Sequence, residues 1–314
     1  MLVSACGFGS GALFAKPVYA AGVDWLVLSA WRFLVGALLA WAWLLASPSR
    51  RRALRRVDRR IVAVSLALGL LYVGNSGTYY AGLESVDASL AALIVYIYPA
   101  LVAVLTLRIG RRLEGTRAWL ALGLALGGVA LTVGGIDASH APPIGPLVLV
   151  VVSPVIYAVW IVLAARLSGE RREVPTNSAA DASDAGAAAS TATALMISAT
   201  AVAYWIWAIA AGRSVAPTAI PSAAWPGLLG IGAVSTFLGI QGFYAGAQRI
   251  GAAQAALLST IEPVWTIALA AVLLHESLGP LQLIGGGLIL IGVVVAQTGP
   301  GSLAARPTVR LADE

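Results

Sequence analysis

Long apolar runs alternate with short polar breaks along the whole chain. The runs predict ten membrane helices, at roughly 2–22, 25–46, 61–82, 88–107, 118–136, 144–166, 190–211, 225–247, 252–274 and 281–298. Each run approaches the roughly 20 residues that an α-helix needs to cross a bilayer. The composition agrees, because 59% of the residues are hydrophobic and only 11% are charged, against about 25% in soluble domains. We therefore predict an all-α integral membrane protein.

The second half of the chain repeats the first at an offset of 164 residues. Corresponding positions, without a gap, are Tyr80 and Tyr244, Pro99 and Pro263, Gly115 and Gly279, Gly123 and Gly287, and Gly128 and Gly292. Internal repeats of membrane helices are typical of transporter folds. We interpret residues 1–138 and 139–300 as two five-helix repeats and residues 301–314 as a cytoplasmic tail. The Ala-, Ser- and Asp-rich segment 168–190 lacks apolar periodicity, which predicts a flexible cytoplasmic linker.

The basic residues are distributed as the positive-inside rule requires. Seventeen of the 20 lie in loops on one side of the ten-helix arrangement, whereas the opposite side carries only Arg213. This distribution predicts a multi-pass protein of the cytoplasmic (inner) membrane with both termini in the cytoplasm. The expected partner of these loops is membrane lipid rather than nucleic acid. The only lysine, Lys16, does not belong to a P-loop motif, and the sequence predicts no cofactor.

An ordered series of motifs occupies residues 252–297. It comprises Glu262-Pro263, His275-Glu276 and the glycines Gly285–Gly287 with Gly292, and the second apolar run adds Arg32-Phe33. On these residues, and over nearly its whole length, the chain resembles EamA-type members of the drug/metabolite transporter superfamily. The resemblance implies ten transmembrane helices, arranged as two inverted five-helix repeats around a central substrate path. It does not specify the substrate.

Glu262 is the one acidic residue deep inside an apolar run. An isolated ionised carboxylate at membrane depth is strongly disfavoured, and such residues usually face a cavity or a partner. We expect Glu262 to be protonated for part of a transport cycle, or to be paired with Lys16 or with an amine of the substrate. A purely structural ion pair or hydrogen bond is the alternative, and the sequence leaves both open.

Lys16 and Arg32 are the two cations within apolar runs. One of them could bind a substrate carboxylate or balance Glu262; alternatively, both extend to the lipid headgroups. Arg32 follows Asp24 by eight residues, which places the two on one helix face, so we favour a structural role for Arg32. Lys16 stays a candidate for the substrate path.

Pro99 and Pro263 correspond in the repeat and predict matched kinks that flank the substrate path, because interrupted helices at corresponding positions often mark transporter sites. Kinks that serve packing alone are the alternative. Further candidates for the path are polar-tipped residues at depth: Asn75, Tyr96, Tyr98, Tyr157, Trp160, Gln241 and Tyr244. Alternatively, aromatic residues of this kind lie at the membrane interface, where they are commonest. Tyr79 and Tyr80 fit that alternative.

The sequence offers little for catalysis or metal binding. His140 and His275 are separate, and we interpret His275-Glu276 as a polar cluster at a helix end. No Ser-His-Asp set or pair of carboxylates has a placement at membrane depth, so an enzyme is not expected. We predict a secondary transporter that exports a small metabolite, an amino acid or similar amphiphilic solute, by alternating access, with protons as the candidate coupling ion. The alternatives are an uncoupled facilitator of the same fold and, less favoured, an integral-membrane enzyme that modifies lipid.

The arginine distribution makes a testable prediction of topology. In a Cys6→Ser background, cysteines placed separately at Ser178 and Ser139 should react differently with an impermeant thiol reagent added outside intact cells. Ser139 should be labelled and Ser178 protected, because the former falls in a predicted outer loop and the latter in the predicted cytoplasmic linker. Equal labelling of the two positions would contradict the ten-helix arrangement.

Overall fold

The structure is a computed structural model, and it describes residues 1–107, 116–136, 141–167, 179–243, 259 and 261–297. These residues form helices joined by short loops, and no strand occurs among them. The helices are α1 (Leu2–Gly9), α2 (Gly11–Ala20), α3 (Trp25–Ala46), α4 (Pro48–Arg55), α5 (Arg59–Leu83), α6 (Ala88–Val95), α7 (Tyr98–Leu107), α8 (Thr116–Gly134), α9 (Ile144–Leu167), α10 (Ala179–Ala210), α11 (Trp225–Gly230), a π-helical segment (Ile231–Leu238) that continues α11, α12 (Ile261–Leu273) and α13 (Pro280–Gln297).

Several of these helices have the length and composition of membrane spans. Five described segments qualify: Trp25–Ala46, Arg59–Leu83, Ile144–Leu163, Ser190–Ala210 and Ser222–Phe243. Four shorter apolar helices accompany them: Ala88–Val102, Trp119–Val133, Ile261–Leu273 and Pro280–Val295. Large apolar side chains such as Leu38, Leu70 and Ile206 are exposed on the outside, as lipid-facing residues are. The all-helical membrane class is confirmed, while the number of spans in the whole chain stays a prediction.

Two of the predicted continuous helices are interrupted. The first apolar run is divided at Ser10 into α1 and α2, and the fourth is divided at Tyr96 and Ile97 into α6 and α7. Glycines flank Ser10 on both sides, and glycine is a poor helix former. Pro99 is the second residue of α7, where a proline costs nothing because the first-turn N–H groups have no helical acceptor. The kink expected at Pro99 is therefore a break between two helices.

The expected linker 168–190 differs from prediction in its second half. Helix α10 begins at Ala179, so residues 179–190 are helical, and the prediction of a flexible segment was wrong there. The sequence of this part is rich in alanine, the best helix former, and helical propensity does not need apolar periodicity. Residues 168–178 lie outside the described part of the chain.

The core of the molecule lies where α3 packs between the other helices. Near one end, Leu28, Ile94 and Leu228 join α3, α6 and α11 in one buried cluster. Further along α3, Phe33 stacks on Tyr204 of α10 with ring centroids 5.4 Å apart. Side-chain hydroxyls tie α10 to α5, since Thr200 Oγ1 donates to the Gly69 carbonyl at 2.8 Å. Bonds of this kind satisfy polar groups for which the bilayer core offers no hydrogen-bond partners.

Helices α8 and α13 pack closely and run antiparallel. A methyl group added at Gly128 would lie 2.6 Å from the Gly285 carbonyl oxygen, and one at Gly292 would lie 2.8 Å from that of Ala121. The offset of 164 residues relates Ala121 to Gly285 and Gly128 to Gly292, so the two contacts are one contact seen from either repeat. The low-numbered end of α8 meets the high-numbered end of α13. The corresponding helices of the two repeats therefore point in opposite directions.

The α8–α13 contact predicts which glycines matter for stability. Gly128→Ala and Gly285→Ala should each destabilise the protein by about 1–3 kcal/mol, because the added methyl groups meet backbone and helices must separate. Gly123→Ala and Gly287→Ala are matched controls on the same helices, since a methyl group there meets no atom within 4 Å. Thermal unfolding of purified protein in detergent measures the difference. Equal effects at all four positions would contradict the close contact.

Candidate functional site

The break at Ser10 is surrounded by polar groups of three other helical segments. On one side, the Thr266 hydroxyl lies 2.8 Å from the Gly9 carbonyl oxygen and 3.0 Å from that of Glu262. The Trp265 indole N–H also donates to Ser10 Oγ at 3.1 Å. A methyl group at Gly9 would lie 2.9 Å from the Glu262 carbonyl oxygen, so glycine is what lets α12 approach the break.

On the opposite side of the break, α5 and the π-helical segment approach Gly11. A methyl group at Gly11 would lie 2.7 Å from the Tyr80 hydroxyl and 2.8 Å from Ser235 Oγ. Tyr80 is almost fully buried and lies against α2, where its carbonyl accepts a hydrogen bond from the Tyr19 hydroxyl at 2.9 Å. The interruption of the first membrane helix therefore lies at the meeting point of α5, α12 and the π-helical segment.

The second break, between α6 and α7, presents two tyrosines. The rings of Tyr96 and Tyr98 meet edge to face at 5.6 Å. Tyr96 is 2% exposed, yet its hydroxyl has no hydrogen-bond partner among the described residues. A buried hydroxyl without a partner costs about 1–3 kcal/mol. The break thus holds a polar group that is poised for a ligand or a rearrangement.

Glu262 faces this second break. It lies in the first described turn of α12 and is partly exposed, and its charge acts on Tyr96, Tyr98 and Tyr79. Within the described part of the chain, its carboxylate forms no hydrogen bond or ion pair. Pro263 follows it and is buried in the same turn, as Pro99 is placed in the first turn of α7.

Lys16 is not the partner of Glu262. Its ammonium donates to the Val86 carbonyl at 2.6 Å and lies within the electrostatic influence of Glu276 and Asp87. Of the alternatives that the sequence left open for Glu262, the structure does not show the pairing with Lys16, whose ammonium bonds to the loop between α5 and α6 instead. Lys16 contacts the end of the bundle rather than the tyrosines of the break.

The predicted aromatic residues do come together. Tyr98 contacts Tyr157 at 4.7 Å, and Tyr157 stacks on Trp160 at 5.9 Å. Tyr72 closes the group, with centroids 5.3 Å from Trp160 and 6.0 Å from Phe33. A chain of aromatic rings thus runs from Tyr96 and the second break to α3, and an apolar wall with a few polar tips suits an amphiphilic solute.

Two other candidates lie apart from this aromatic chain, and a third is not described. Asn75 Oδ1 accepts a hydrogen bond from Ser153 Oγ at 3.0 Å, which joins α5 to α9. Gln241 Nε2 donates to Ser190 Oγ at 2.9 Å. Tyr244 lies outside the described residues. The contacts of Asn75 and Gln241 are those of helix packing.

Arg32 does not pair with Asp24. Asp24 Oδ1 accepts from the Leu26 and Val27 amides at the start of α3, and Oδ2 lies 3.5 Å from Arg213 Nε. Arg32 instead is buried against the π-helical segment, where its Nε donates to Thr236 Oγ1 at 3.2 Å. The expectation from helical spacing failed because the helix N-terminus and Arg213 occupy the carboxylate first.

The polar cluster expected at His275-Glu276 is confirmed. The Glu276 carboxylate accepts from the Ala88 and Ser89 amides at 2.9 and 2.8 Å, so it caps α6 and offsets the positive end of that helix. His275 adopts a positive φ of 56° in the same loop. No group of three His, Cys, Asp or Glu side chains that could hold a metal occurs in the described ranges.

Sequence reasoning missed Tyr79, Tyr80, Ser235 and Thr236. The two tyrosines were interpreted as interface residues because they lie near the end of an apolar run. The signal that could have found Tyr80 is its correspondence with Tyr244 in the repeat. The two hydroxyl residues carry no motif, and only the fold brings them to the break and to Arg32.

Comparison with known proteins decides the family. The model of the EamA-like transporter family matches residues 1–134 and again residues 145–298. The chain belongs to the EamA-like transporter family. Two EamA copies therefore cover the two halves that the 164-residue repeat relates. The resemblance that the sequence motifs indicated is confirmed.

Similar proteins carry transporter names. An uncharacterized transporter of Archaeoglobus fulgidus is 27% identical over 296 residues, which is 94% of this chain and 94% of its own. The uncharacterized transporter YcbK of Bacillus subtilis is 28% identical over 215 residues, 68% of this chain and 64% of its own. A protein solved by crystallography superposes with a TM-score of 0.57 at 18% identity, covering 94% of this chain and 96% of its own, and so shares the fold.

The breaks predict a role for the two matched prolines. Pro99→Ala restores a backbone donor, which favours a continuous helix through the break between α6 and α7, and Pro263→Ala restores one in the first described turn of α12. If the prolines serve movement, transport in proteoliposomes should fall severalfold while the thermal stability holds or rises. Pro154→Ala is the matched control, because Pro154 lies in the interior of α9 rather than at a helix break. Lower stability with unchanged transport per folded molecule would show that the prolines serve packing alone.

Proposed function

We propose that this EamA-family protein is a secondary transporter that exports a small metabolite, an amino acid or similar amphiphilic solute, across the cytoplasmic membrane. The observation that carries the proposal is that Glu262 lies near the break between α6 and α7. A carboxylate that no described residue pairs with, a buried tyrosine hydroxyl and a wall of aromatic rings lie together there. Interrupted helices with unpaired polar groups at membrane depth are the usual form of a transporter site.

The proposed mechanism is alternating access between two inverted five-helix repeats in a ten-span arrangement with both termini in the cytoplasm. Supporting it is the antiparallel contact of α8 with α13, because repeats of inverted orientation require corresponding helices to point in opposite directions. The breaks at Ser10 and at Tyr96–Ile97 supply places where half of a helix can tilt without the other half.

The contacts at the helix ends support the same proposal. At the end of the bundle that holds Lys16, the ammonium bonds to Val86 and the Glu276 carboxylate caps α6. The Glu276 bonds join the second half of the sequence to the first, whereas the Lys16 bond lies within the first half. A few such bonds can break and form again in one cycle, whereas a packed apolar interface would not.

Proton coupling through Glu262 is the finer part of the proposal. Protonation removes the cost of an unpaired carboxylate, and a solute amine would do the same when it binds. One group can then accept either a proton or the solute, and this competition couples the two movements. An uncoupled facilitator keeps the fold and leaves Glu262 without this role. A lipid-modifying enzyme is the remaining alternative, and it requires product formation without transport.

Glu262→Gln tests the coupling. Glutamine keeps the shape and one acceptor but cannot titrate, so the variant should fold, retain part of its solute binding and lose the acceleration that an imposed pH gradient gives the parent. The measurement is solute flux in proteoliposomes with and without the gradient. Glu84→Gln is the control, because Glu84 is exposed in a loop and its one hydrogen bond among the described residues is from the Trp25 amide at 2.6 Å.

The results separate the alternatives. If Glu262→Gln transports as the parent does at every pH and gradient, Glu262 has no coupling role and the facilitator is the better description. If the variant does not fold while Glu84→Gln does, Glu262 is a structural residue. A parent protein that transports none of the solutes tested but converts a lipid would support the enzyme.

A further inference from the structure

Arg32 is a buried cation whose hydrogen-bonding capacity is largely unused. The residue is 3% exposed, and its one described hydrogen bond runs from Nε to Thr236 Oγ1 at 3.2 Å. The Nη1 group is fully buried and has no partner among the described residues. A guanidinium offers five N–H donors in a planar fork, so its strongest directed bonds are not made in this structure.

The surroundings of Arg32 supply aromatic faces rather than a carboxylate. Its Cζ lies 4.1 Å from the centroid of the Tyr80 ring and 4.6 Å from that of Phe33. Such contacts stabilise a cation, but they leave the N–H groups unpaired. Asp24, the acidic residue nearest in sequence on the same helix, is occupied by the α3 N-terminus and by Arg213.

The backbone around Arg32 is held firmly. A methyl group at Gly232 would lie 3.0 Å from the Arg32 carbonyl oxygen, so α3 and the π-helical segment are in close contact. Thr236 Oγ1 also lies 3.1 Å from the Ile231 carbonyl, five residues earlier. π-helical turns occur frequently at functional sites, and a rigid frame keeps a binding group in place before its ligand arrives.

We propose that Arg32, with Thr236 beside it, binds the carboxylate of the transported solute. The proposal rests on the proposed transport function and names the substrate class: solutes that carry a carboxylate. A guanidinium fork matches two carboxylate oxygens, which would satisfy the unpaired Nη1 group and a neighbouring N–H at once. Because Arg32 is buried, the solute reaches it only in a conformation in which the helices around the break at Ser10 have moved.

Tyr79 relates this site to Glu262. Arg32 and Glu262 both lie close enough to Tyr79 for their charges to act on its side chain. A solute with a carboxylate at Arg32 can therefore present an amine towards Glu262. The pair of sites then fits a zwitterionic amino acid better than a simple anion.

The test compares each carboxylate with its uncharged amide. Purified parent protein is titrated with L-phenylalanine, L-leucine and L-threonine and with their carboxamides, and binding is followed as thermal stabilisation. The carboxamides should bind about 10- to 100-fold more weakly, because the charge-assisted bonds to Arg32 are lost. Arg32→Gln should abolish this preference, and Arg32→Lys should keep part of it, since lysine retains the charge without the fork.

Arg50→Gln is the matched control. Arg50 also lies 4.1 Å over an aromatic ring, that of Trp43, and donates from Nε to the Trp43 carbonyl at 2.9 Å, but it is partly exposed and lies in α4, beyond the membrane span. Its loss should leave the carboxylate preference unchanged. The stability of unliganded Arg32→Gln adds a second criterion: a loss of stability without a loss of the carboxylate preference indicates a structural arginine.

Three results would overturn the proposal. The first is a parent protein that no carboxylate stabilises more than its carboxamide. The second is an Arg32→Gln variant that is destabilised but keeps the preference, and Arg32→Lys takes its place if the glutamine variant does not fold. The third is measurable flux of a carboxylate and its amide at equal rates, which would leave the transport function standing. Absence of flux for all the solutes would count against the transport function instead.

Discussion

The bilayer interior offers no hydrogen bonds, and the rest of this structure follows from that constraint. Apolar runs become helices because only a helix satisfies its own backbone within one segment. A helix can be interrupted only where protein groups meet the freed ends. Both breaks obey this rule: at the first, the Thr266 hydroxyl donates to the Gly9 carbonyl, and at the second, the Ile97 and Ala100 amides donate to the Ile94 and Ile97 carbonyls. The interruptions mark where the protein has built a polar interior within the membrane.

Duplication of one EamA unit explains the antiparallel pairing of α8 with α13. The contacts Gly128–Gly285 and Ala121–Gly292 exchange under the 164-residue offset, as contacts across a two-fold axis do. Backbone-to-backbone packing of this kind holds α8 and α13 as one unit, because lipid tails give helices no hydrophobic reason to associate. In the alternating-access mechanism that we propose, this pair stays fixed and the movement takes place in the interrupted helices.

Apolar periodicity predicts where helices exist, and composition and repeat predict the membrane class and family, because these depend on local sequence. The break at Ser10 escaped prediction because only two flanking glycines mark it in the sequence, whereas the break beside Pro99 was expected as a kink at that proline. Spacing along α3 suggested Asp24 as the partner of Arg32, but Arg213, remote in sequence, occupies it. The tyrosines and Trp160 were found from the sequence because polar-tipped aromatic residues at depth are rare enough to identify individually.

The charged groups inside the helical bundle are of two kinds, those with partners in the chain and those without. This difference supports the proposed substrate path. Lys16 and Glu276 have oxygen and amide partners supplied by the chain itself, and they hold the ends of helices together. Glu262 and Arg32 have no partner of the opposite charge in the described part of the chain, although the charges of both act on Tyr79. Had the chain paired them with each other, a solute would have to break that ion pair before it could bind. In the site that we propose, both groups stay available, and a zwitterionic solute would recover on binding the free energy that the two unpaired charges cost.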